Sequence, residues 1–227
     1  VTGSIDEKVR HAVTKLSDIH LVSSKPAAER VIRMGEEPRS VHTTGCPSID
    51  LALEMLRSPE MDFEPVERYR GLGIPMDPSE DYLVVMQHPV TTEHDVARQQ
   101  VTDTLHAVHK QGLPTLWFWP HVDAGSDGTS RGIRVFREQE RPDDIRFFKN
   151  MAPTDFLKVL YHARCLVDNS SVGIRESSFL GVPVVNIGTR QMGRDRGRNV
   201  VDVDYCRDQI GCAISRQFAR GKRYPSD

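Results

Sequence analysis

The sequence lacks the features of a membrane or secreted protein. No uninterrupted apolar run approaches the roughly 18 residues that a membrane-spanning helix needs. The amino-terminal residues do not show the basic segment followed by an apolar one that is typical of a secretory signal peptide. We therefore expect a cytoplasmic location and no membrane partner.

Paired cysteines and an excess of positive charge are also absent. The four cysteines, at positions 46, 165, 206 and 212, form no Cys-x-x-Cys motif, so we expect reduced thiols. The formal net charge of -2 gives no indication of a nucleic-acid partner, because binding to a phosphate backbone usually requires a basic excess. No cluster of metal-ligating residues stands out, and we predict neither a metal nor a cofactor.

Strand-like apolar runs alternate with helical patterns along most of the 227 residues. This alternation predicts a parallel sheet covered by helices on both faces. The polar residues 57–76, which contain proline and glycine, are the expected linker. The pattern begins on a helix without an opening strand and the first residue is not Met, so we expect an N-terminal part to be absent from this chain.

The region from Cys165 to Ile187 predicts a strand, a loop at 169–173, a helix from Ile174 and a second strand. Ser170 or Ser171 can cap the helix, and its unpaired first N–H groups would then form an anion site suited to phosphate. On local pattern alone, an ordinary capped crossover is the stronger interpretation.

Two further loops are expected at the same sheet edge, where ligands of parallel sheets bind. His88 precedes a proline that holds it extended, although a surface or capping histidine is the stronger interpretation of this residue alone. Asp123 and Ser126 lie in a loop that could be a simple turn.

Several charged residues also allow two interpretations, one functional and one structural. Glu176 can accept both hydroxyls of a ribose or be a solvated carboxylate. The basic residues from Arg190 to Arg198 suit a diphosphate or form a solvated charge run. Asp6 and Arg10 share a helix face, which by itself indicates an ion pair.

Several motifs, in this order, closely resemble those of the hydrolysing UDP-N-acetylglucosamine 2-epimerases. They are GSIDEKVRHAVTKL at 3–16, GCPS at 45–48, HPVTT at 88–92, DAGS at 123–126, NSSVGIRE at 169–176 and GTRQMGR at 188–194. Each motif is weak alone, whereas six in register are specific. The resemblance spans nearly the whole chain.

The resemblance implies two Rossmann-like halves of the GT-B type, with a UDP-sugar between them. Residues 1–56 would then end a truncated N-terminal half, and 77–205 would form a nearly complete UDP-binding half. Residues 206–227 would hold a helix that crosses back to the first half. The substrate partner would be a UDP-sugar. Whether the chain forms a homo-oligomer stays an open question.

The resemblance also implies roles for individual residues. Ser170, Ser171 and Arg190 would hold the diphosphate, Glu176 the ribose, and His88 both the diphosphate and the reacting sugar. Asp6 and Arg10 would be catalytic, and His121 would lie near the nucleotide, although relatives commonly have Asn there. Supporting positions would be Asp123, Ser126, Gly173 and Arg175.

The chemistry implied by the resemblance is elimination of UDP followed by hydration, giving N-acetylmannosamine for sialic acid or related amino-sugar synthesis. Two alternatives stay open. The chain could belong to an epimerase for another UDP-2-acetamido sugar, or it could be a UDP-binding fragment without activity.

Overall fold

The computed structural model describes residues 5–120 and 125–225, with side chains from Glu7 onward. Its strands are β1 (His20–Val22), β2 (Val41–Thr43), β3 (Leu83–Met86), β4 (Thr115–Phe118), β5 (Ile145–Phe148), β6 (Cys165–Asp168), β7 (Val184–Ile187) and β8 (Val200–Val203). Its helices are α1 (Ile5–Leu16), α2 (Lys25–Arg33), α3 (Pro47–Met55), α4 (Pro65–Tyr69), α5 (Ala97–His109), α6 (Ser126–Glu140), α7 (Pro153–His162), α8 (Glu176–Leu180) and α9 (Arg207–Arg220).

Six strands form a parallel sheet in the order β5-β4-β3-β6-β7-β8. The chain first runs outward from β3 to β5, and then returns to the other side of β3 and runs outward again to β8. Strands β3 and β6 are therefore neighbours whose connections leave in opposite directions. Such a reversal opens a crevice at the carboxyl ends of the two strands.

Both faces of this sheet are buried, which explains the continuous apolar runs of its strands. Val84, Leu166 and Val184 face one core, which α3 and α7 cover. Val85 and Val167 face the opposite core, which α5, α6 and α9 cover. The two cores hold the strand ends at fixed positions, so the loops that follow them are placed on a rigid frame.

A smaller parallel sheet of β1 and β2 lies in the first part of the chain. Helix α2 packs against both strands, and the Ser24 side chain caps its start by accepting the Ala27 N–H. Helix α3 joins this part to the large sheet, because Ala52 and Met55 belong to the core beneath α7.

The described structure differs from the predicted elements in two places. Residues 57–76, predicted as a linker, contain helix α4 and an antiparallel bridge between Leu72 and Phe147. Strand β8 was not predicted, because it is a half-exposed edge strand with a short and mixed pattern. The domain boundaries themselves stay a prediction. Across the described residues, no helix is both long and apolar enough to cross a membrane.

Candidate functional site

The loops after β3 and β6 flank the crevice at the reversal point of the sheet. His88 follows β3 and is only 3% exposed, and its main chain is bonded to the Asn169 side chain across the crevice. Gly125 of the loop before α6 packs against Pro89, since a β-carbon there would lie 3.1 Å from the proline Cβ. The three loops predicted to converge on this edge therefore include at least two that are in contact.

Asp168, the last residue of β6, organises the loop that follows it. Its Oδ1 accepts the Ser170 N–H at 2.7 Å, and its Oδ2 accepts the Ser170 hydroxyl at 2.8 Å and the Gly173 N–H at 3.1 Å. Position 173 is crowded, because a β-carbon there would lie 3.0 Å from Asp168 Oδ2 and 3.1 Å from Val184 Cγ1. Burial raises the pKa of Asp168 to about 6, against the opposing effect of these hydrogen bonds.

The predicted capping of helix α8 by Ser170 or Ser171 is wrong in detail. The helix begins at Glu176, its cap position is Arg175, and no side chain bonds its first N–H groups. Ser170 instead donates to Asp168 and accepts the Val172 N–H at 3.2 Å, so it caps the turn before the helix. The aspartate two residues upstream competes for the serine hydroxyl and fixes it inside the loop.

Ser171 and Glu176 are connected by Arg175. The guanidinium Nη2 of Arg175 donates to Ser171 Oγ at 3.1 Å and to Glu176 Oε1 at 3.3 Å. Glu176 is 6% exposed, and its Oε2 has no hydrogen-bond partner among the described residues. A buried carboxylate oxygen without a donor is costly.

The loop after β7 returns to the same place. Arg190 Nη1 and Gln191 Nε2 both donate to the carbonyl oxygen of Asn169, at 3.4 and 2.9 Å. The Gln191 side chain is 3% exposed and its Oε1 has no partner among the described residues. Thr189 donates to Glu93 at 2.6 Å and so ties this loop to the one after β3.

These loops and helix α1 enclose a cleft of about 680 Å³. Its lining residues are Glu7, Arg10, His11, Arg30, Pro89, Val90, Thr91, Thr92, Glu93, Ser171, Thr189, Arg190, Gln191, Met192, Gly193 and Arg194. Four of these residues are arginines. Arg10 and Arg30 come from the beginning of the chain, and Arg190 and Arg194 come from the loop after β7.

The cleft holds more positive than negative side chains, with four arginines against Glu7 and Glu93. Partial burial lowers the pKa of the Arg194 guanidinium, and repulsion from Arg10, Arg175 and Arg190 lowers it further. Neither Arg10 nor Arg194 forms an ion pair with a carboxylate among the side chains that the structure describes. Guanidinium groups that repel one another in a shared cleft are stabilised by an anion of more than one charge.

The predicted site residues fall into four groups. Arg10, Ser171 and Arg190 line the cleft, whereas His88, Ser170, Gly173 and Glu176 are buried in the loops that form its wall, with Arg175 beside them. Ser126 is the first residue of α6 and is not among the lining residues. His121, Asp123 and the side chain of Asp6 lie outside the described residues.

Sequence reasoning did not single out Asp168, Asn169 or Gln191 as site residues. Asn169 was placed in the candidate loop 169–173 without a role of its own and Asp168 was given none, although a polar pair directly after a buried strand is a recognisable indication of loop organisation. Within residues 5–120 and 125–225, no three side chains of His, Cys, Asp or Glu are grouped as metal ligands would be.

The doubly wound sheet and the arginine-lined cleft at its reversal point define a Rossmann-like α/β protein with a basic cleft. Among solved structures, the UDP-GlcNAc 2-epimerase of Methanocaldococcus jannaschii in complex with UDP-GlcNAc and UDP has the same fold, with a TM-score of 0.66 and 14% identity. The superposition covers 94% of this chain and 58% of that one, and confirms the predicted fold of the GT-B type.

The model of the UDP-N-acetylglucosamine 2-epimerase family matches residues 1–226, and the chain belongs to this family. It is 33% identical over 222 residues to the UDP-N-acetylglucosamine 2-epimerase of Neisseria meningitidis serogroup B, covering 98% of this chain and 56% of that protein. It is 31% identical over 209 residues to the UDP-N,N'-diacetylbacillosamine 2-epimerase (hydrolyzing) of Legionella pneumophila, covering 92% and 53%. The chain therefore spans about half the length of these relatives.

Proposed function

We propose that this cleft binds the UDP portion of a UDP-2-acetamido sugar. The observation that carries the proposal is the group of guanidiniums at Arg10, Arg190 and Arg194, which share one cleft with Ser171 and have no carboxylate partner in the described residues. A diphosphate supplies the multiple negative charge that such a group requires. The buried Oε2 of Glu176 would accept a ribose hydroxyl.

The whole protein would then act as a hydrolysing UDP-N-acetylglucosamine 2-epimerase. The proton at C2 is removed and the C1–O bond to UDP breaks, which leaves a glycal and free UDP. Water then adds its oxygen at C1, and a proton returns to C2 from the opposite face, giving N-acetylmannosamine. The similarity to a relative named as hydrolyzing supports the release of a free sugar rather than a UDP-linked product.

Each step has a residue proposed for it. The arginines of the cleft and the turn at Ser170 and Ser171 would neutralise the charge that develops on the departing diphosphate. Asp6 and His88 are the proposed groups for proton removal and return, because both carry titratable side chains.

Two other functions stay as alternatives, each favoured by an observation. One relative is named as an epimerase of a diacetamido sugar, and the similarity to it favours another UDP-2-acetamido sugar as the substrate. The coverage of 56% of the Neisseria relative favours a chain that binds UDP without turning over the sugar.

Turnover in deuterium oxide separates these functions. The hydrolysing epimerase is expected to release UDP and N-acetylmannosamine that carries one deuterium at C2, whereas a reversible epimerase would yield UDP-linked product. If calorimetry detects UDP binding but no product forms, the chain is a binding unit. Ser171→Ala is expected to weaken UDP binding by about fivefold through loss of one hydrogen bond to the phosphate, and an unchanged affinity would contradict the phosphate assignment.

A further inference from the structure

Asn169 lies at the centre of the candidate site without contacting the cleft. It directly follows β6 and is 0% exposed. Its side chain pairs with the main chain of His88 in both directions. The His88 N–H donates to Asn169 Oδ1 at 2.8 Å, and Asn169 Nδ2 donates to the His88 carbonyl at 2.8 Å.

The main chain of Asn169 holds a second loop. Its carbonyl oxygen accepts both Gln191 Nε2 at 2.9 Å and Arg190 Nη1 at 3.4 Å. The same Nδ2 lies 3.4 Å from the hydroxyl of Tyr205, which follows β8. One residue therefore contacts the segments that follow β3, β7 and β8, and it adjoins Ser170 of its own loop.

We propose that Asn169 is the positioning residue of this site, which sets the His88 backbone and the Arg190 side chain at fixed places relative to the Ser170–Ser171 turn. The proposal rests on the diphosphate assignment made above. Sites whose groups must meet one ligand gain affinity when those groups are held before binding, because less freedom is lost on association.

The chemistry of the side chain explains why asparagine occupies this position. The His88 main chain presents one donor and one acceptor, and an amide offers one of each. A carboxylate would place lone pairs against the His88 carbonyl, and a serine would be too short to make both bonds. Asparagine thus continues the backbone pairing of β3 and β6 one step beyond the end of the strands.

A matched pair of variants tests the proposal. Asn169→Ala removes the His88 pairing, and Asn199→Ala removes a side chain that is equally buried, at 2% exposure, and that also makes two hydrogen bonds. Asn199 precedes β8 and so lies at the amino-terminal end of the strands, whereas Asn169 lies at their carboxyl end. The two variants should lose similar stability, but only one of them alters the site.

The measurement compares UDP with uridine, which has no phosphate. The affinity of Asn169→Ala for UDP is expected to fall by about tenfold or more, because the groups that contact the diphosphate are no longer held in place. Its affinity for uridine is expected to stay within about threefold of that of the unsubstituted chain, because uridine makes no diphosphate contacts. Asn199→Ala is expected to keep both affinities. Equal losses for UDP and uridine in Asn169→Ala, or an unchanged UDP affinity, would overturn the proposal.

A ligand-free readout separates this proposal from the proposed function. Amide hydrogen exchange at His88 is expected to become faster in Asn169→Ala and to stay unchanged in Asn199→Ala. If the unsubstituted chain does not bind UDP, the proposed function fails, and the exchange rate at His88 alone decides the positioning role. An unchanged rate would contradict it.

A second variant is provided in case Asn169→Ala does not fold. Asn169→Leu keeps the approximate size of the side chain but offers neither an acceptor for the His88 N–H nor a donor for the His88 carbonyl. Faster exchange at His88 supports the proposal and an unchanged rate overturns it.

Discussion

The buried carboxylate of Asp168 should make the stability of this protein depend on pH in an unusual direction. Burial raises the pKa of this group from an ordinary value of 3.8 to about 6. A raised pKa means that the folded protein favours the protonated form. The stabilisation is therefore fully present below the unfolded pKa and is lost as the pH rises through the folded pKa.

The size of the effect follows from the two pKa values. The interval from 3.8 to about 6 corresponds to about 3 kcal/mol in the free energy of unfolding, at 1.36 kcal/mol for each pH unit. Asp168→Asn cannot ionise, so it removes this pH dependence. It also turns an N–H donor toward either the Ser170 or the Gly173 N–H, which weakens the loop equally at every pH.

Urea unfolding of both proteins from pH 4 to pH 7.5 measures the difference. The free energy of unfolding of the unsubstituted protein, minus that of Asp168→Asn, is expected to fall by about 2.5 kcal/mol over this range, because at pH 4 the carboxyl of the unfolded chain is already largely ionised. The control Asp95→Asn changes a side chain that is 90% exposed and should alter stability by less than about 0.5 kcal/mol throughout. A difference that stays constant or increases with pH would refute the reasoning, because the three hydrogen bonds would then outweigh burial.

Two further substitutions test other parts of the structure. Glu176→Gln is expected to weaken UDP binding by about tenfold but to change binding of 2'-deoxy-UDP by less than about twofold. The reason is that the buried Oε2 is proposed to accept a hydrogen bond from the ribose hydroxyl. Calorimetry measures both affinities, and equal losses for the two nucleotides would show that the assignment is wrong. Gly181→Ala is expected to cost about 2 to 4 kcal/mol in unfolding experiments, because Gly181 has a φ of 68° and a β-carbon would overlap the carbonyl oxygen of Tyr224. The matched change Gly112→Ala has a φ of 64° but no neighbour within 4 Å, so it should cost only the backbone part, about 1 to 2 kcal/mol.

The large sheet could be predicted because its strands are buried on both faces and form continuous apolar runs, as in Leu83–Met86 and Cys165–Asp168. Strand β8 could not, because an edge strand half exposed to solvent has no such run. Helix α4 was missed because five residues between prolines and glycines give too short a period to recognise.

The site divides in the same way. The motifs around Ser171, Arg190 and Glu176 could be placed at one sheet edge, because the carboxyl ends of parallel strands must meet there. The order of the strands, which makes β3 and β6 neighbours at a reversal, is a long-range property that no local pattern contains. The pairing of Asn169 with His88, 81 residues apart in sequence, follows only from that order.

The bridge at Leu72 has a consequence for association between molecules. Strand β5 is an outer strand of the sheet. The outward-facing backbone groups of an outer strand can pair with a strand of another chain unless something covers them. Leu72 and Phe147 exchange two backbone hydrogen bonds of 2.9 Å, and Arg146 Nε donates to the Ile74 carbonyl at 2.7 Å. The segment after α4 thereby occupies the edge of the sheet and protects the protein against edge-to-edge aggregation.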